Sequence, residues 1–237
     1  MRIWLSRPHM GGTEQDYVRQ AFESNFIAPI GPQLNEFEAV TQAYLGQNVH
    51  CVGLSSGSSA LHLALQVVGV GPGDDVWISS MTFAGGIFPV SYLGATPIFF
   101  DLSPDSWTVD CDLLEEALES ANRENRLPRA IVPTDLYGQS VDIERLETMV
   151  KRYGVKLVID SAESLGASFK GGRKCGTGGD VSILSYNGNK IITTSGGGML
   201  VSKDPKLVEK ARFLATQARD PAPVSYTHLT LPTIPLV

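Results

Sequence analysis

The run Val49-His50-Cys51-Val52-Gly53-Leu54 is followed without a break by Ser55-Ser56-Gly57-Ser58-Ser59-Ala60 and then by Leu61-His62-Leu63-Ala64-Leu65-Gln66-Val67-Val68, and this stretch decides the fold class. Its first part is short and apolar and reads as a strand. The serine-glycine turn carries helix N-cap chemistry, and the last eight residues are apolar on nearly all sides, as a helix buried against a sheet must be. Further strand-like runs recur at 76–79, 97–100, 130–133, 156–159, 181–184 and 199–201, with helix-period segments between them. Asp142 caps a segment whose Ile143, Leu146, Val150 and Tyr153 share one face before Gly154 stops it. Asp204-Pro205 opens another that carries Leu207, Ala211, Leu214, Ala215 and Ala218. The alternation predicts an α/β fold with a mostly parallel seven-stranded sheet sandwiched by helices. One domain over 49–218 accounts for the pattern, after an N-terminal segment 1–48 and before a tail 219–237, and Gly171-Gly172 with Gly176 to Gly179 reads as a mobile connection.

Composition narrows the function classes. With 43% hydrophobic and 19% charged residues in 237, the chain falls among folded globular proteins rather than disordered or fibrous ones. A net charge of -6 offers no electrostatic footprint for a nucleic-acid backbone. The most apolar stretch, 85–100, is interrupted by Pro89, Ser91, Gly94 and Pro97 and is too short to span a bilayer. The first residues lack an apolar run of secretory length, so a cytoplasmic location is expected. Cys51, Cys111 and Cys175 are odd in number and widely spaced, which suggests reduced thiols rather than a disulfide framework or a metal site.

Three segments carry candidate chemistry. At 55–60 a strand turns directly into the buried helix, so free amides and short hydroxyls could surround a phosphate; a plain serine N-cap explains the same residues. Asp160 ends a strand at the carboxyl edge of the sheet, where α/β ligand sites form and where a carboxylate can meet a cationic nitrogen; a carboxylate satisfied by loop amides reads equally well. Lys190 stands between the polar turn Tyr186-Asn187-Gly188-Asn189 and the apolar pair Ile191-Ile192. Burial in such a setting favours a neutral amine able to attack an aldehyde and form an imine, whereas a lone lysine is ordinarily a solvated one and the triple glycine at 196–198 a flexible turn.

Taken together, SYNGNKIITTSGGGML, LSSGSSALHLAL, GVGPGDDVWISSMTFAG and IDSAESLGA resemble the DegT/DnrJ/EryC1/StrS family of sugar aminotransferases, fold-type I enzymes that use pyridoxal 5'-phosphate. The similarity runs from about residue 5 to residue 223. It implies that Lys190 forms the imine with the cofactor and that Asp160 keeps the pyridine nitrogen protonated. It further implies that Phe83 stacks on the ring, although core packing explains an isolated phenylalanine better, and that Gly57, Ser58, Ser59 and Ser185 cradle the phosphate. Glu163 falls beside the cofactor's phenolic oxygen, where other members carry glutamine or histidine; an ionised carboxylate cannot donate a hydrogen bond there. Lys190, rather than the histidine of dehydratase relatives, points to the transaminating branch, with glutamate as amino donor and a nucleotide-linked keto-sugar as acceptor.

The segments 6–10, 25–29 and 215–221 resemble enzymes that aminate the C4 ketone of a UDP-linked 6-deoxy-HexNAc on the way to a bacillosamine-type sugar for glycan or cell-surface polysaccharide. In that subgroup His9 and Asn25 lie near the substrate sugar, although His9 reads equally as a solvated loop residue and His62 as a satisfied core histidine. The family implies a homodimer. Residues 224–237 do not continue the family pattern, and no asparagine-tyrosine-arginine stretch reaching a neighbouring subunit is found, so a C-terminally truncated chain without its small domain is expected. Two other readings compete. One is a non-catalytic member or fragment that binds cofactor or sugar nucleotide; the other, a nicotinamide-dependent Rossmann enzyme, lacks the three-glycine pyrophosphate turn at Ser56-Gly57-Ser58-Ser59.

Overall fold

The computed structural model describes residues 9–218 apart from 27, 29 and 47, so the tail 219–237 and the first eight residues lie outside the described part. In chain order the elements are α1 (Glu14–Glu23), α2 (Pro32–Leu45), β1 (His50–Leu54), α3 (Gly57–Val67), β2 (Asp75–Ser79), α4 (Phe88–Tyr92), β3 (Thr96–Phe100), α5 (Cys111–Arg123), β4 (Ala130–Val132), α6 (Ile143–Tyr153), β5 (Lys156–Asp160), β6 (Val181–Ser185), β7 (Gly198–Ser202) and α7 (Pro205–Ala215).

All seven strands join one sheet in the order β1-β7-β6-β5-β4-β2-β3. The ladders from β3 to β6 are parallel, and β7 alone runs against both of its neighbours. Alternate side chains build two faces. Val76 and Ile78 of β2, Val158 of β5, Val181 and Ile183 of β6 and Leu200 of β7 pack with α3 and α7. Trp77, Leu157 and Ile159 point the other way and pack with α5 and α6. At the β1 end, Cys51, Leu184, Met199 and Val201 meet Leu45 of α2 in a third cluster.

Local chemistry sets the ends of these elements. The Asp142 side chain accepts the Arg145 N–H at the start of α6, and Gly154 closes that helix at φ 69. Helix α7 stops at Ala215, short of the expected Ala218, and Gln217 and Ala218 take left-handed backbone at φ 71 and 48. Strand β4 ends at Val132, because Pro133 has no N–H to give the ladder. Of the glycines expected to form a mobile connection, Gly176, Gly178 and Gly179 are instead points of close packing, while an added Cβ on Gly172 would meet no atom within 4 Å. The Gly172 N–H donates to the Phe169 carbonyl within a turn bridged by Ser168 and Lys174, and a Cβ on Gly179 would lie 2.6 Å from the Leu157 carbonyl oxygen. Glu38 fastens α2 to this body: it takes two hydrogen bonds from Arg212 of α7, at 3.0 and 2.7 Å, and the Gly53 N–H at 2.8 Å. Among the described residues, no helix is long and apolar enough to cross a membrane.

Candidate active site

A cavity of about 320 Å³ opens at the carboxyl ends of the parallel strands, within the ordinary size of a small-molecule site. Its wall takes residues from the three segments read as carrying chemistry and from the stretch that holds Phe83. Gly57 and Ser58 come from the start of α3, Phe83 from the segment after β2, Asp160 and Glu163 from the end of β5, and Ser185 and Lys190 from the end of β6 and the loop beyond.

At the start of α3, Ser56 is the N-cap. Its side chain accepts the Ser59 N–H at 3.0 Å, and the Ser59 hydroxyl oxygen accepts the Ser56 N–H at 2.9 Å. Ser59 is therefore committed to the cap and is not among the cavity-lining residues, which sets it apart from the other expected cradle residues. The cap leaves the amides of Gly57 and Ser58, which have no partner within a helix, facing the cavity end of α3. Space there is tight. A Cβ on Gly57 would come within 2.9 Å of the Ser185 Cβ, one on Gly85 within 2.4 Å of the Ser58 hydroxyl, and one on Gly198 within 2.2 Å of the Ser56 carbonyl oxygen.

Asp160 closes the floor. It is 6% exposed, its Oδ1 accepts the Ala162 N–H at 3.1 Å, and burial pushes its carboxyl up to about 6 even though that N–H and the nearby charge of Lys190 oppose the rise. A cationic nitrogen beside it would supply the counter-charge that burial leaves short. Its Oδ2 faces the approach of Gly86, where an added Cβ would lie 3.2 Å from that oxygen and 2.6 Å from Thr82 Oγ1. Thr82 Oγ1 is buried in the cavity wall with no hydrogen-bond partner, an orphan of the kind a bound polar group satisfies.

The loop that carries Lys190 is pinned at its base. The Tyr186 N–H donates to the Gly197 carbonyl and the Thr194 N–H to the Tyr186 carbonyl, while the Tyr186 ring is buried edge-on to Phe37 at 4.8 Å between centroids. Contrary to the expectation drawn from the neighbouring apolar pair, Ile191 and Ile192 do not desolvate the lysine; they are 78% and 54% exposed. Its shielding comes from the cavity, which leaves the Lys190 side chain 12% exposed with Nζ 3.1 Å from Glu163 Oε1. Phe83 is 75% exposed and lines the cavity mouth, so the core-packing account of this residue fails. His62 is half-buried, its ring edge-on to Tyr92 at 6.1 Å.

His9 and Asn25 are exposed on the stretches flanking α1, and neither lines the cavity. Sequence reasoning missed three residues that the fold brings in: Thr82, Asn187 and Asp135. Asn187 stands within the quoted lysine motif, but nothing in its type distinguished it from a turn former. Asp135 is fully buried; it accepts the Val141 N–H and the hydroxyls of Ser161 and Ser164, and so fixes the loop between Asp160 and Glu163. Its signal was only an aspartate next to an apolar run.

A mostly parallel seven-stranded sheet with helices on both faces, and a buried carboxylate and a shielded lysine on one cavity at its edge, is the α/β fold of pyridoxal-phosphate aminotransferases. The chain belongs to the DegT/DnrJ/EryC1/StrS aminotransferase family, whose profile matches residues 8–231. EpsN of Bacillus subtilis (strain 168), provisionally assigned as a pyridoxal phosphate-dependent aminotransferase, is 48% identical over 96% of this chain and 58% of its own length. GDP-perosamine synthase of Caulobacter vibrioides is 36% identical over 93% of this chain and 57% of its own. Spr1654 of Streptococcus pneumoniae, provisionally a sugar aminotransferase and solved in PLP and PMP forms, superposes in its PMP form with a TM-score of 0.80 at 28% identity, covering 90% of this chain and 57% of that one. The chain thus spans somewhat over half the length of the relatives it matches.

The residues present fit pyridoxal phosphate: amides at a helix start for its phosphate, Asp160 for its ring nitrogen, an orphaned hydroxyl at Thr82 and an amine at Lys190.

Proposed function

We propose that the protein of which this chain is part transfers an amino group from glutamate to the 4-keto carbon of a nucleotide-linked deoxy sugar, for glycan or surface polysaccharide synthesis. The observation that carries the reading is that Lys190 and Asp160, thirty positions apart in sequence, line one cavity together with the start of α3. When bound, pyridoxal phosphate supplies an aldehyde for the amine and a ring that accepts the electrons left when a substrate carbon loses its proton. The chain supplies the rest. Gly57 and Ser58 amides and the Ser58 and Ser185 hydroxyls hold a phosphate. Asp160 keeps a proton on the ring nitrogen by meeting its charge. Lys190 Nζ, on the cavity wall, is the base that moves a proton at the reacting carbon.

The donor, the ketone position and the UDP carrier come from the family resemblance. Support for a nucleotide-sugar acceptor comes from a relative named for a GDP-linked product, so carrier identity is to be read by assaying UDP-, GDP- and dTDP-linked keto-sugars side by side. His9 and Asn25 belong to this proposal only as residues of the sugar side. A homodimer is part of the reading as well, and the exposed rings of Phe83 at the cavity and of Phe88 and Tyr92 on α4 are apolar surface that a second copy would cover.

Borohydride reduction of the chain mixed with pyridoxal phosphate, followed by peptide mapping, tests the assignment. The cofactor mass is expected on the Lys190 peptide, and Lys190→Ala should remove both the adduct and the visible absorbance. A label confined to other lysines overturns it.

A further inference from the structure

Among the described residues two buried side-chain polar atoms have no hydrogen-bond partner, Thr82 Oγ1 and Tyr153 Oη, and of these only Thr82 belongs to the cavity wall. A buried hydroxyl left unpaired costs free energy that a bound polar group recovers. Thr82 lies shortly after β2, just before the turn at 84–86, where the Gly86 N–H donates to the Phe83 carbonyl at 2.7 Å. Gly86 is buried and its backbone is not left-handed, so its conformation does not call for glycine. Space does. A Cβ there would lie 2.6 Å from Thr82 Oγ1 and 3.2 Å from Asp160 Oδ2, so the hydroxyl and the carboxylate oxygen converge on one notch that glycine leaves open. Asp160 Oδ1 is taken by the Ala162 N–H, and Oδ2 is the oxygen turned to the notch.

We propose that Thr82 is a further cofactor-binding residue: its hydroxyl oxygen is a second acceptor, beside Asp160 Oδ2, for the N–H of a protonated pyridine ring. This rests on the reading of the cavity as a pyridoxal phosphate site. The two acceptors divide the work. The carboxylate meets the charge, and the neutral hydroxyl shares the N–H in a three-centre hydrogen bond without bringing a second buried anion into the notch. A ring edge that carries C–H gives neither oxygen a donor and leaves the Thr82 hydroxyl orphaned, so the notch discriminates between a ring nitrogen and a ring carbon.

The test is equilibrium dialysis of the full 237-residue chain and its variants against pyridoxal phosphate and against its deaza analogue, in which a C–H replaces the ring nitrogen. The native chain should hold pyridoxal phosphate more tightly than the analogue. Thr82→Val, which keeps the shape and removes the hydroxyl, should weaken pyridoxal phosphate by about tenfold, as losing one hydrogen bond to a charged group does, and should leave the analogue unchanged. Thr82→Ser, which keeps the hydroxyl, should restore most of the affinity and decides the matter if Thr82→Val does not fold. With no cofactor added, the urea midpoint of Thr82→Val should be no lower than that of the native chain, because a methyl replaces a hydroxyl that had no partner. Equal weakening of both ligands, no weakening of either, or a serine variant no better than the valine one overturns the proposal. Any of these leaves the cofactor site itself standing if the native chain still prefers the ring nitrogen; a native chain indifferent to that nitrogen refutes the roles of Asp160 and Thr82 together.

Discussion

Asp160 is held where its charge is disfavoured, and that has a measurable consequence for folding. Its carboxyl stands at about 6 in the fold against an ordinary 3.8, with burial as the main cause. A carboxyl that binds its proton more tightly folded than unfolded makes stability fall as pH rises between those two values and keeps it lower above them. Asp160→Asn, which can still accept the Ala162 N–H, should therefore stabilise the chain without added ligand by on the order of 2 kcal/mol at pH 8 and by almost nothing near pH 4. Urea titrations of both proteins at the two pH values check this; an equal difference at both would refute it. The same substitution should weaken retention of pyridoxal phosphate, since an amide cannot balance a protonated ring nitrogen. Stability is given up at this residue where binding needs a charge. Asp160 was legible from its place at a strand end. Its burial and its neighbour Asp135 were not, because both arise from chain segments about 25 residues apart that meet only across the parallel β4–β5 edge, where Thr134 bridges Asp160.

At the scale of elements, the close meeting of β7 with the β1–α3 turn forms the cradle. Gly198 is the residue that permits it, since its would-be Cβ lies 2.2 Å from the Ser56 carbonyl oxygen and 2.7 Å from the Gly57 nitrogen, both of them backbone atoms that cannot swing aside. Gly198→Ala should lower stability by about 1–3 kcal/mol, as overpacking does, and also loosen phosphate binding. Gly71→Ala, where no atom lies within 4 Å, should change it by no more than about 0.5 kcal/mol. Thermal denaturation with and without inorganic phosphate distinguishes the two; equal losses at both glycines would count against the close-approach argument. The strand–turn–helix order was plain from the apolar run at 49–54 and the serines behind it. The antiparallel course of β7 was not, because direction depends on how the loop that holds Lys190 folds back on Tyr186.

Over the whole molecule, three layers bury all three thiols. Cys51, Cys111 and Cys175 are 5%, 8% and 0% exposed, and burial pushes their thiols up to about 12, 11 and 12. The native chain should accordingly show no rapidly reacting thiol toward a disulfide reagent at pH 8 and three after denaturation, and any slow reaction should track the opening of the fold. A thiol titrated at once in the native protein would show that one layer is open.

The α/β class, the seven strands, the main helix caps, the family and the choice of Lys190 and Asp160 as candidates came from the sequence alone, because periodicity, capping residues and contiguous motifs are local properties of the chain. Tertiary structure decided that Ser59 serves the cap rather than the cavity, that Phe83 is exposed, that Ile191 and Ile192 do not bury Lys190, and that Glu163 pairs with that lysine while accepting the Tyr137 N–H. Each of these depends on which side chain meets which across the sheet edge, and such meetings follow from packing among segments far apart in the chain.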